Sequence, residues 1–125
     1  MRYEIDEQAQ ILWADLVSAG SADRVLEAML ALIGARPELC GWDWIIECYP
    51  LPQDATADHL KILSEAWGPP PAVEAITVFV TQDKLLHLWA RALDFQFTRR
   101  KHLIARDVDG ARDLIEKRRS LRRAR

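Results

Sequence analysis

Between Pro71 and Arg100, polar residues recur at Glu74, Thr77, Thr81, Lys84, His87, Arg91, Asp94 and Thr98, each three or four positions after the last. Residues at that spacing share one face of a helix. Nearly everything off the stripe is apolar, from Val73 through Ile76, Phe79, Leu86 and Trp89 to Phe97. A helix apolar on almost all sides has to be buried among other elements. The pattern predicts one helix of about 45 Å, at a rise of roughly 1.5 Å per residue, long enough to be the central rod of a small domain.

The same stretch also admits a strand, because Ile76, Val78 and Val80 alternate with Thr77, Phe79 and Thr81. A second segment is equally two-sided. Trp42, Trp44, Ile46 and Cys48 alternate with Asp43, Ile45, Glu47 and Tyr49, yet Leu39, Trp42, Ile45, Ile46 and Tyr49 also fall on one helical face. Two strands joined by a helix would form a parallel pair too small to stand alone. That consideration favours helices at both places.

The remaining segments read as helices with short connections. Ile5, Ala9, Leu12 and Leu16 give Glu4 to Ala19 a helical period ended by Gly20. Ser21 caps a second helix with Val25, Leu26, Met29, Leu30 and Ile33 on its face, stopped by Gly34. A third starts at Pro37 and is closed by Pro50 and Pro52, and a fourth, capped by Asp54 or Thr56, ends at Gly68 and Pro69. After the break at Asp109-Gly110 a last helix starts at about Ala111. The expected fold is all-α, a single-domain bundle of antiparallel α-hairpins around one long helix. The alternative is a small α/β fold with strands near 42–49 and 75–81.

With 125 residues the chain is large enough to bury one core without metal or disulfide staples. Its net charge of −2 hides a split. Residues 1–98 carry six Lys/Arg against fifteen Asp/Glu, and residues 99–125 carry eleven against four. The first part is expected as an acidic helical core and the second as a basic C-terminal helix or tail of the same domain. No apolar run is long enough to span a membrane, and acidic residues stand where a signal peptide needs an apolar core. A cytoplasmic protein without membrane contact is expected.

Motifs for catalysis are missing. There is no glycine-rich phosphate loop, Gly-x-Ser-x-Gly, His-Glu-x-x-His or Cys-x-x-Cys. Asp83, His87, Arg91 and Asp94 lie about one turn apart on the expected long helix, so a carboxylate there can orient an imidazole. A stripe of that kind is first of all a solvent-facing or partner-facing surface. Asp107, Asp109, Gly110, Asp113 and Glu116 match part of a calcium loop, but Ala105 and Arg112 fall at positions that do not fit it. His59, His87 and His102 lack metal-ligand spacing and are expected at the surface, and Cys40 and Cys48 as buried free thiols. No cofactor and no metal are expected.

These absences, the charge split and five tryptophans point to a non-enzymatic macromolecular interaction protein: an adaptor, inhibitor or regulator of a protein partner, which can be a second copy of the chain. Trp42, Trp44, His87, Arg91 and Asp94 are its candidate contact residues, since aromatic side chains are enriched at interfaces. The alternative is a DNA- or RNA-binding regulator. Its candidate phosphate contacts are Arg99, Arg100, Lys101, Arg112, Lys117, Arg118, Arg119, Arg122 and Arg123. Against it stand three other fates for the basic segment: folding back on the acidic remainder, remaining solvated, or pairing with a second copy.

Overall fold

The stretch from Pro71 to Arg100 is divided in the structure, a computed structural model that describes residues 1–48, 54–68, 71–84 and 86–123. Ala75–Val80 is a strand, Leu86–Gln96 a helix, and Arg100 opens a further strand, Arg100–Ala105. Burial explains the division. All six residues of Ala75–Val80 are buried, and an inner strand of a parallel sheet covered on both faces reads as a continuous apolar run. Thr77 and Thr81, which looked like part of a helical stripe, are buried as well. Being β-branched, they suit a strand.

In chain order the elements are β1 (Arg2–Asp6), β2 (Ile11–Asp15), α1 (Ala22–Ala35), β3 (Asp43–Glu47), α2 (Ala57–Ala66), β4 (Ala75–Val80), α3 (Leu86–Gln96), β5 (Arg100–Ala105) and α4 (Val108–Arg123). Short 3-10 turns lie at Val17–Ala19 and Pro37–Gly41. The all-α bundle is therefore corrected to an α/β fold with a five-stranded mixed sheet. Strands β3 and β4 fall inside the two ranges of the α/β alternative. A parallel pair alone is too small to stand, and β1, β2 and β5 supply the further strands that stabilise it.

The hairpin β1/β2 replaces the expected first helix, with Ile5 paired to Leu12 and Gln10 of the turn at φ 54°. The expected third helix is a 3-10 turn followed by β3, while Tyr49, Pro50 and Pro52 lie outside the described residues. Capping was more legible. The Ser21 hydroxyl accepts from the Arg24 N–H at the start of α1, and Thr56 and His59 form a reciprocal cap on α2. Helix α4 begins earlier than expected because the Asp107 carboxylate accepts from the Gly110 N–H at 2.7 Å, which draws Asp109 and Gly110 into its first turn.

Strand β1 is antiparallel to β2, and β2, β3, β4 and β5 follow one another in parallel. Crossovers that all step in the same direction with the usual right hand put their helices on one face of the sheet. Packing agrees. Helices α1 and α3 bury Met29, Leu32, Ile33, Leu86 and Leu93 against Leu12, Trp44, Ile46 and Phe79, with Leu60, Leu63 and Trp67 at the margin. On the opposite face α4 buries Ala111 and Ile115 against Ile11, Ile45, Ile76 and Val78. Residues 99–123 thus provide the strand beside β4 and, among the described residues, the helix that covers one face. Among the described residues, no helix is long and apolar enough to cross a membrane.

Candidate functional site: a cavity over one face of the sheet

Side chains two residues apart on a strand share a face. Trp44 and Ile46 of β3, Thr77 and Phe79 of β4, and Arg100 and His102 of β5 therefore form one wall, with Trp44, Thr77 and His102 in register across the sheet. Facing it are Val25 and Met29 of α1, Leu60 and Leu63 of α2 with Trp67 just beyond it, and Leu86, Trp89 and Leu93 of α3. These walls line a mainly apolar cavity of about 490 Å³ that is open to solvent on one side. Helix α2 contributes no buried residue at all. It is tied to its neighbours at the rim, where His59 Nε2 meets Asp23 Oδ1 at 2.7 Å and Gln96 Nε2 donates to Ser64 Oγ at 2.9 Å. An empty closed void of this size would cost on the order of 10 kcal/mol, as much as the stability of a whole domain. The space is therefore one that solvent, a ligand or movement of α2 must fill.

Two basic side chains sit in the wall. Arg100 is only 4% exposed. Its Nη1 donates to Thr77 Oγ1 at 2.9 Å and to the Ile76 carbonyl at 3.3 Å, and its Nη2 to the carbonyls of Trp42 and Cys40 at 2.7 and 2.8 Å. The guanidinium lies over the Trp67 ring, 5.3 Å from its centroid. Burial lowers its pKa to about 10, with Asp43 and Cys40 acting in the other direction, so it stays charged at neutral pH.

His102 is buried as well, stacked near Phe79 and Phe97. Asp94 Oδ1 accepts from its backbone N–H at 2.7 Å and meets ring Nδ1 at 2.9 Å, while Asp94 Oδ2 takes Lys101 Nζ at 2.9 Å. A carboxylate accepts, so Nδ1 carries the proton and Nε2 keeps its lone pair in the neutral ring. Burial holds the imidazole below its ordinary pKa, against the pull of Asp94. Burial would also raise the Asp94 carboxyl, but the hydrogen bonds from Lys101 and His102 outweigh it and leave that carboxyl lowered. Such a pair is what a general base needs. Among the described residues, however, no hydroxyl or thiol is hydrogen-bonded to Nε2. The Cys48 thiol is fully buried, and burial, then Asp83 and Glu47, push its pKa up to about 12, which leaves it protonated and inert.

The expected contact residues are dispersed. Trp44 is buried in the cavity wall and donates through Nε1 to the Leu39 carbonyl at 2.8 Å. Trp42 is half-buried beneath the Arg36 guanidinium, 5.4 Å from its ring centroid. His87 and Arg91 are exposed on α3, and Asp94 turns inward to β5. The basic candidates divide in two. Arg100 is buried; Lys101 pairs with Asp94; Arg118 meets Glu74 at 3.5 Å; Arg119 pairs with Asp43 at 2.8 Å and donates to the Ala9 carbonyl; Arg122 donates to the Glu74 carbonyl. Arg99, Arg112, Lys117 and Arg123 are exposed. Much of the segment's charge has thus folded back on the acidic remainder.

Asp107 of the partial calcium motif is a helix cap, and among the described residues no group of three His, Cys, Asp or Glu side chains is placed to hold a metal ion. Both cysteines are free and buried. His102, expected at the surface, is the residue that sequence reasoning placed least well. The alternation of Arg100, His102 and Ile104 with Lys101, Leu103 and Ala105 was the available signal, but the dense charge of the segment obscured it. Compared with known proteins, the chain matches no family model, no curated protein and no solved structure.

Proposed function

We propose that this chain is a non-enzymatic binding domain whose cavity between the sheet and α1–α3 holds a small, mainly apolar molecule. The observation that carries this reading is the cavity itself: about 490 Å³ of mostly apolar space, within the size range of small-molecule sites, beneath a helix that buries none of its own residues. A neutral apolar dye such as Nile red should bind with a blue-shifted emission at one site per chain. Leu63→Glu should abolish that binding while leaving cooperative unfolding intact, because Leu63 is only partly buried. Dye binding that is absent, or unchanged in the variant, would contradict the proposal.

A protein partner is the second reading, favoured by the outer side of α3, where Phe95 is 92% and Leu88 70% exposed. Such a partner would sit beside the cavity rim. Phe95→Ser with Leu88→Ser should then weaken partner or self-association without altering dye binding, and analytical ultracentrifugation reads the difference. The nucleic-acid alternative retains the exposed Arg99, Arg112, Lys117 and Arg123 as phosphate contacts.

A further inference from the structure

Resting on the reading of the cavity as a ligand site, we propose that its ligand is an acyl-chain carboxylate, with the anionic head at Arg100 and Thr77 and the chain running beneath α2. A guanidinium has five N–H donors. Four of those of Arg100 are engaged by Thr77 Oγ1 and the carbonyls of Ile76, Cys40 and Trp42. The fifth, on Nε, has no partner among the described residues and no accessible surface, so a ligand oxygen reaches it only as the Trp67 ring over the guanidinium shifts aside. An unsatisfied charged donor inside a protein calls for an acceptor.

The charge is unmatched as well as the donor. Among the described residues, no carboxylate lies within ion-pairing distance of Arg100. Asp43, the acidic group that most influences it, is already engaged on the other face of the sheet by Arg119 and by the Ile76 N–H at 2.8 Å. A buried cation without a counter-ion is costly, and an anion brought by a ligand removes that cost. Thr77 adds a second donor. Its buried oxygen accepts from Arg100 Nη1, which leaves its own O–H free to point at a ligand oxygen.

The shape of the cavity selects the body of the ligand. The lining includes Thr56 and His59 at the start of α2 and Trp67 just past its end, so it touches α2 along its whole length, ten residues or about 15 Å at the helical rise. The lining also includes the apolar Leu60, Leu63, Met29, Phe79 and Leu93. An extended alkyl chain suits a mainly apolar space lined along a ten-residue helix, and its carboxylate meets the Nε donor once Trp67 yields.

The test is displacement of Nile red from the full chain by dodecanoate and by 1-dodecanol, both below aggregating concentrations. These share the chain and differ in the head. A hydrogen bond to a charged group predicts that dodecanoate displaces the dye about tenfold to a hundredfold more strongly. Arg100→Gln should abolish the preference. Because that side chain also ties three carbonyls together, Thr77→Val is the second variant, expected to reduce the preference several-fold with dodecanol unchanged. Equal potency of acid and alcohol on the wild-type chain would overturn the anionic head while leaving the apolar site standing. An acid preference undiminished in Thr77→Val would overturn the placement of the head. Displacement by neither molecule would overturn both.

Discussion

The two faces of the sheet are built to opposite specifications. On the α4 face, Ile45, Ile76 and Val78 meet Ala111 and Ile115 with no exposed surface left on any of them. That face is locked by an ion pair, since Asp43 holds Arg119 at 2.8 Å and also accepts from the backbone of β4. On the other face, three helices span a wall that contains a charged arginine and a neutral histidine, and the middle helix packs against its neighbours rather than the strands. Close packing is the ordinary condition of a protein interior. A face that departs from it while its reverse conforms is the one with a role besides stability.

The contrast can be broken most forcefully at Asp43. Asp43→Ala takes the carboxylate from the part-buried Arg119 and leaves the buried Ile76 N–H without its acceptor, and should cost about 3–5 kcal/mol. Chemical denaturation measures it. Ile115→Ala, on the same face, should cost about 2–4 kcal/mol through lost burial and the void left behind. On the other face, Leu63→Ala should cost less than about 1.5 kcal/mol, because Leu63 is only partly covered and borders an existing space. Equal losses for Ile115 and Leu63 would erase the distinction between the faces.

A finer test uses pH. The folded chain holds His102 below its ordinary pKa, so the unfolded state takes up the proton first. Stability should be level above about pH 6.5 and fall as pH drops from there toward the lower folded value, by at most about 1.4 kcal/mol per pH unit. His102→Asn should remove that slope. The smallest effect is expected at Lys101, whose side chain is substantially exposed: Lys101→Ala should change stability by no more than about 1 kcal/mol.

The fold was legible where local chemistry decides structure and illegible where tertiary context does. The Ser21 and Thr56 caps are set by side chains a few residues apart, and the helices they start were found in place. Ala75–Val80 and Asp43–Glu47 are different. An inner parallel strand has no polar face, so its period of two vanishes, and the intervals between Thr77, Thr81, Lys84 and His87 imitated a helix. Strand β5 was hidden by its charge. Arg100 and Lys101 resembled a solvated basic run, although one is buried beneath Trp67 and the other pairs with Asp94. The cavity combines residues from Leu16 to His102, and no local pattern announces such an assembly. Of the five residues expected at a contact surface, only Trp44 lines it.

Hydrogen exchange of the full chain with and without dodecanoate tests the central claim most directly, because it reads both faces at once. Without ligand, the α2 amides should exchange far faster than those of β4 and α4. With ligand, α2 and the facing turns of α3 should slow markedly while α4 stays as it was. Amides of α2 as protected as those of β4 at the outset, and indifferent to the ligand, would contradict the account of an open binding face.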